Sequence, residues 1–276
     1  MLIGYNQATS LKKSDVETDL KYAEKYGYDF IEFQMGQLYK YLKTHSIEEL
    51  KNFFYASKIK PYTLNALEFF NLRTPEEFEE VKREFTRMCQ IAKELDCRTI
   101  IIVPSKKIEG MSDEEVKEDS IDCINKLADI GKEYNVKLAY EYLGSPETSV
   151  NTFAQCYDIV QAVNRDDVGI VLDCFHFYAN ASKIEDLRNA NADKIFVFHI
   201  NDCKDLPLHT LQDSDRLWPG EGVIPLDKIL GALKHIDFKG AATVELFNPD
   251  YWEWDPEKTI RVAKEKTEAA IKKYFK

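Results

Sequence analysis

No stretch of this sequence approaches the roughly 18 consecutive apolar residues that a membrane-crossing helix needs, so no span is expected. The start, Met1-Leu-Ile-Gly-Tyr-Asn6, runs straight into a strand pattern and lacks the basic opening and apolar core of a signal peptide. No CxxC pair exists. The six cysteines (Cys89, Cys97, Cys123, Cys156, Cys174 and Cys203) are scattered and read as reduced thiols of a cytoplasmic protein. Basic charge is in deficit: 37 Lys and Arg face 48 Asp and Glu, a net charge of −11 that would repel nucleic-acid phosphates. No Gly-rich dinucleotide fingerprint follows the first strand, which weakens an open doubly wound sheet. No low-complexity segment, linker or short-period repeat interrupts the chain.

What is present is a regular alternation. The 276 residues, 44% of them hydrophobic, suffice for one large core and match the usual size of a (β/α)8 barrel, so a single domain over 1–276 is expected. Short apolar strands are expected at Leu2–Tyr5, Asp29–Phe33, Pro61–Leu67, Thr99–Val103, Leu138–Glu141, Val168–Asp173, Ile195–His199 and Ala241–Glu245. Helices fill the gaps, opened by Ser-x-x-Glu capping boxes at Ser46, Ser112 and Ser182 and by Pro75 at a first helical position. Strand–helix alternation implies a parallel sheet with right-handed crossovers. Eight such units in this length point to a closed (β/α)8 TIM barrel, with the open sheet as the alternative. The longest connection, Ile200 to Pro225, then lies at the carboxyl-end mouth, where functional loops gather.

Four consecutive strands end in residues that can bind a metal: Glu141, Asp173, His199 and Glu245. A closed barrel brings these ends to one mouth, and three carboxylates so close repel unless a cation sits among them. Three oxygens and one imidazole suit one divalent metal (Zn, Mn, Co or Mg) with positions left for substrate. Such a metal would grip a ketone oxygen and the neighbouring hydroxyl and acidify the C–H between them. Glu141 or Glu245 would remove that proton, giving a metal-bound cis-enediolate, and one of the pair would return it. Return to the neighbouring carbon isomerises the ketone; return to the opposite face of the same carbon epimerises it.

Other residues sit close in the pattern. His176, three positions past Asp173, either binds a substrate oxygen, ligates a second metal or caps its loop. Arg216, on the long loop, either holds substrate oxygens or pairs with Asp215 or Glu221. The aromatic residues Phe69, Phe70, Phe175, Phe177, Trp218, Tyr251, Trp252 and Trp254 form either an apolar wall for a ring-shaped polyol or plain rim packing. Asn65 is placed to hydrogen-bond a substrate hydroxyl, and Glu32 reads as the buried partner of a Lys or Arg. Cys174 reads as a packing residue. The loops after strands seven and eight carry Glu221, Asp250, Glu253 and Asp255, which disfavours a sugar phosphate and favours an uncharged substrate.

Taken together, Tyr-Glu141, Leu-Asp173-Cys-Phe-His176, Phe-His199-Ile-Asn-Asp202, Asp-Arg216-Leu-Trp-Pro-Gly-Glu-Gly and Val-Glu245-Leu-Phe resemble the xylose-isomerase-like TIM-barrel superfamily. The likeness runs nearly end to end, through Asn6-Gln-Ala-Thr, the segment 60–71 and the segment 163–173, and is strongest to the keto-inositol isomerases of inositol catabolism. The resemblance implies that Glu141, Asp173, His199 and Glu245 hold one divalent metal and that the two glutamates move the proton. It also implies that His176 and Arg216 hold substrate oxygens. The implied reaction interconverts 2-keto-myo-inositol and 1-keto-D-chiro-inositol, with a small uncharged cyclic polyol ketone as partner. The superfamily's endonuclease branch uses further His ligands on strands two to four, where this chain offers Asn65 and Pro104. Rival readings are a ketose 3-epimerase, a cyclic keto-acid dehydratase and a non-catalytic polyol-binding barrel. A homo-oligomer stays open, because an exposed helix face and a core face look alike in sequence.

Overall fold

The first half of the chain runs β1 (Leu2–Asn6), α1 (Val16–Lys25), β2 (Phe30–Gln34), α2 (Met35–Tyr41), α3 (Ile47–Ala56), β3 (Lys60–Leu67), α4 (Pro75–Leu95), β4 (Thr99–Ile102) and α5 (Asp113–Glu133). The second half continues with β5 (Lys137–Glu141), α6 (Phe153–Val163), β6 (Val168–Asp173), α7 (Cys174–Ala179), α8 (Ile184–Arg188), β7 (Ile195–Ile200), β8 (Asp202–Cys203) and β9 (Arg216–Leu217). It ends in α9 (Leu226–His235), β10 (Ala241–Val244), α10 (Pro249–Trp252) and α11 (Pro256–Ile271). In this computed structural model, which describes residues 1–275, eight strands form a closed barrel in the order β1-β10-β7-β6-β5-β4-β3-β2. The parallel pairing of β1 with β10 closes it and removes the open-sheet alternative. All eight barrel strands start and stop within one residue of the ends expected from sequence.

The strands are largely apolar because both faces are covered. Period-two alternation sends Leu138, Tyr140, Ile170, Leu172 and Phe198 outward, where they join Leu127, Ile159, Ile229 and Ile260 of the helices in the main core. It sends Ile101, Ala139, Val171 and Val197 inward, where with Val103 they form a separate aliphatic cluster inside the barrel. That inner cluster is the floor of the mouth.

The capping boxes at Ser46–Glu49, Thr74–Glu77 and Ser112–Glu115 are all formed. The one expected at Ser182–Glu185 is not. There α8 starts after Lys183 with no side-chain cap, and the Ser182 hydroxyl instead accepts the N–H of Phe153 at 3.0 Å. The helix is correspondingly short, five residues over Ile184–Arg188. Among the described residues, no helix is long and apolar enough to cross a membrane.

Candidate metal centre

Each of the four strand-end groups stands two residues beyond a residue on the same face of its strand. Glu141 follows Ala139, Asp173 follows Val171, His199 follows Val197 and Glu245 follows Thr243, so the aliphatic layer is succeeded by a polar one. The β6–β7 register sets Asp173 directly beside His199. One atom from each of Glu141, Asp173, His199 and Glu245 lies within 4.8 Å of the others. His199 Nδ1 is the hub, 3.0 Å from Glu141 Oε1, 3.3 Å from Glu245 Oε2 and 3.7 Å from Asp173 Oδ2. None of the four is more than 4% exposed.

Burying this much negative charge shifts Glu141, Asp173 and His199. Burial pushes Glu141 up to about 8; His199 opposes the rise, and Glu245 and Asp173 add to it. Burial would raise Asp173 too, but Arg216, His199 and the backbone N–H of His176 hold it at about 2. Burial would lower His199, yet Glu245, Glu32 and Glu141 push it well above the ordinary imidazole value. The cluster thus demands positive charge at Nδ1, and a divalent ion there can replace the proton. Three carboxylate oxygens and one imidazole nitrogen within bonding reach of one point are a donor set that fits such an ion.

Arg216 roofs this cluster. The 200–225 connection folds back as a two-residue antiparallel ladder, in which Asp202 pairs with Leu217 and Cys203 with Arg216. The Asp202 carboxylate fastens it by accepting the N–H groups of Cys203, Gly220 and Ile224. Gly222 has to be glycine here, since a Cβ would sit 2.1 Å from the Cys203 carbonyl oxygen. Arg216 is 1% exposed. Its Nη1 donates to Asp173 Oδ2 at 2.8 Å and to Glu245 Oε2 at 3.0 Å. Its other edge pairs with Asp213 at 2.8 Å, and Phe175 and Phe247 lie against the guanidinium at 4.8 and 5.4 Å. The loop salt bridge is therefore to Asp213. Asp215 is engaged by Lys204 and Glu221 by Lys266.

His176 is buried at the start of α7, its backbone N–H capped by Asp173. Its Nε2 faces Arg216 Nη2 at 3.0 Å. A guanidinium only donates, so Nε2 accepts and the imidazole proton sits on Nδ1. That Nδ1 is buried with no hydrogen-bond partner among the described residues. Burial also lowers the His176 pKa, consistent with a neutral ring.

Glu32 departs from expectation, and Asn65 is tied to it. Among the described residues Glu32 pairs with no Lys or Arg; its Oε1 receives His199 Nε2 at 2.9 Å, Asn65 Nδ2 at 3.2 Å and Asn6 Nδ2. Asn65 Nδ2 lies 2.9 Å from Glu245 Oε1, and Asn6 Nδ2 lies 2.8 Å from the same oxygen. The amide of Asn65 thus serves two carboxylates. Most of the rim aromatics pack. Trp218, 1% exposed, stacks on Tyr251 at 4.4 Å and leans on Trp254 at 5.9 Å. Phe70 packs against Tyr140 and Phe177 against Phe153, while Phe69 stays open at the rim. Cys174 is fully buried, its thiol pushed well up by burial, as befits a packing residue.

The family model for the xylose isomerase-like TIM barrel matches residues 20–270. The chain belongs to that family. It is 45% identical over 276 residues to a Halalkalibacterium halodurans protein named inosose isomerase, covering 100% of this chain and 98% of the relative. It is equally 45% identical over 276 residues to the Bacillus subtilis protein of that name, covering 100% and 99%. It superposes on the crystal structure of the IolI protein with a bound zinc atom at a TM-score of 0.98, with 44% identity, covering 100% of this chain and 99% of that one.

Within this xylose isomerase-like barrel, Asn6, Asp202, Asp213 and Phe247 complete the mouth, in roles that the sequence pattern does not assign them. Asn6 had the same signal as the four strand-end groups, a polar residue at the end of a first apolar strand. Asp213, three residues before Arg216, had none, because its partner is set by the loop's fold.

Proposed function

We propose that this chain is a divalent-metal-dependent isomerase that interconverts 2-keto-myo-inositol (scyllo-inosose) and 1-keto-D-chiro-inositol in inositol catabolism. The observation that carries the substrate is identity of 45% across the full chain to proteins named inosose isomerases, on a barrel whose mouth gathers three carboxylates and an imidazole. Glu141, Asp173, His199 and Glu245 hold the metal. When bound, it withdraws electron density from the ketone and adjacent hydroxyl oxygens and so acidifies the C–H between them.

The chain's own groups do the rest. Glu141 and Glu245 act as general base and acid, taking the proton from one carbon and delivering one to its neighbour. Asn6 and Asn65 hold Glu245 Oε1 and fix that carboxylate's orientation. Arg216 stabilises negative charge developing on the substrate oxygens, and His176 offers its Nδ1–H, a neutral donor, to a substrate oxygen. Asn65 bounds the substrate on the β3 side. Trp218 stiffens the wall from behind through its stack on Tyr251. The partner is a small uncharged cyclic polyol ketone in the cytoplasm, with no role for nucleic acid or membrane, and every group named comes from one chain, whether or not copies associate.

Proton NMR of the metal-loaded protein with 2-keto-myo-inositol in D2O tests this. The expected result is 1-keto-D-chiro-inositol, lost on chelation and in Glu245→Gln. Deuterium entering the substrate without a new ketone would move the chemistry to another substrate, with free ketohexoses and 3-epimerisation tried next. Absence of both product and deuterium exchange with every ketone, despite bound metal, would overturn the proton-transfer reading.

A further inference from the structure

Glu32 lies outside the four-residue cluster, yet it is fully buried and touches the hub of that cluster from behind. The two ring nitrogens of an imidazole point in divergent directions, and which one carries the proton is set by the bond the other makes. In His199, Nδ1 faces Glu141, Glu245 and Asp173, while Nε2 faces Glu32 Oε1 at 2.9 Å. Resting on the metal-centre reading above, we infer that Glu32 is a positioning residue: it accepts Nε2–H and so keeps the Nδ1 lone pair free and aimed at the metal.

Three observations favour acceptance by Glu32 over donation. Its Oε1 is the common target of His199 Nε2, Asn6 Nδ2 and Asn65 Nδ2, and the two amide nitrogens can only donate. An oxygen already receiving N–H donors has no room for a proton of its own. Both Glu32 and His199 are 0% exposed, so bulk water does not compete for Nε2. The arrangement is also held by the sheet, because the β1–β2 register sets Asn6 beside Glu32 and the β2–β3 register sets Gln34 beside Asn65. Glu32 is not among the four groups whose donor atoms lie within 4.8 Å of one another, and it meets the ring at the other nitrogen. Its effect is to fix the tautomer and rotation of His199 and to raise the basicity of Nδ1.

The same two amides reach Glu245 Oε1. Glu32, through Asn6 and Asn65, therefore shares a frame with one of the two proton-moving glutamates. Loss of the Glu32 charge would loosen one ligand directly and a second through the amides.

The test is zinc affinity, measured by competition with a chromophoric chelator, alongside long-range 1H–15N NMR of the histidine rings. Wild-type protein should bind one zinc per chain, with His199 protonated on Nε2 and its Nδ1 resonance displaced by the metal. Glu32→Ala should weaken zinc by about 10–100-fold and give a mixture of His199 tautomers. Glu32→Gln keeps a carbonyl acceptor and should recover part of the affinity and the Nε2–H tautomer. The NMR of wild-type protein needs no variant to fold, and zinc found on Nε2 would overturn the assignment. So would a Glu32→Ala protein with wild-type affinity, provided His199→Ala weakens binding. If His199→Ala binds zinc as tightly as wild type, the ion is elsewhere, and the metal-centre reading falls together with the role of Glu32.

Discussion

Glu141, Asp173, His199 and Glu245 were legible because each breaks an apolar run at its carboxyl end, where burial without a partner would be costly. What those groups touch from behind was not. The partner of Glu32 is 167 positions away, on β7, and only barrel closure brings the two together. Replacing Glu141 by Gln removes a proton acceptor, and the expected kcat falls at least about 100-fold, read by following the two keto-inositols in a steady-state assay. Arg216→Lys keeps the charge but loses the planar fork that spans Asp173, Glu245 and Asp213. A loss of about 10–100-fold in kcat/KM is expected from the missing charged hydrogen bonds, and an unchanged value would deny Arg216 a part in the reaction. Beside the segment that follows β1, Asp19 is fully buried and pushed up to about 7, burial outweighing the hydroxyls of Ser14 and Ser10 and the amide of Gln7. A carboxyl whose folded value is raised favours the fold while protonated. Its contribution is therefore complete below the unfolded-state value of about 3.9 and is lost as pH rises through about 7. Urea midpoints at pH 5 and pH 8, taken with saturating metal, should differ less in Asp19→Asn than in wild type.

The barrel strands emerged from the sequence because a strand covered on both faces is a continuous apolar run between turn residues. The short elements did not. The β8–β9 ladder is two residues per strand, too short for any period, and α7 is the six-residue run Cys-Phe-His-Phe-Tyr-Ala, too short and too evenly aromatic to show a helical face. Ser182 shows the opposite failure, where a correctly spaced cap was diverted to the backbone of Phe153. The β8–β9 hairpin is nonetheless the element that places Arg216, and Asp202 is its fastening. Asp202→Ala strands three backbone donors, each worth about 1–3 kcal/mol when buried without a partner. Turnover should fall along with the melting temperature, while zinc stoichiometry stays at one per chain, since no metal ligand lies on the hairpin. A variant that lost zinc but kept Arg216-dependent turnover would contradict that division of labour.

At the scale of the molecule, the carboxylates crowded at the mouth oppose folding unless cation charge offsets them, so metal and stability should be linked. Ligand at about 100 times its dissociation constant stabilises by about 2.7 kcal/mol, which for a chain of this size is a rise of about 5 °C in Tm. Chelation should lower the melting temperature, and re-addition should restore it in a concentration-dependent way. A melting curve indifferent to zinc would mean that the ion does not bind at this cluster. The closed sheet also explains why the mouth is complete in one chain: eight strand ends converge wherever the sequence ends them in polar residues.

The floor beneath that mouth has a consequence for atoms as well as for packing. Ile101, Val103, Ala139, Val171 and Val197 form a greasy stopper inside the barrel. A hydrogen lifted from the sugar ring by a glutamate has no downward exit to bulk solvent, and its only other way out is upward, past the bound ring itself. An isotope placed on that carbon should therefore be handed on: substrate deuterated at the reacting carbon and turned over in ordinary water should give product that keeps a share of its label, measured by mass spectrometry after a single turnover. Complete washout would reveal a leak in the stopper, and the enzyme would then be a partner of the solvent in every cycle.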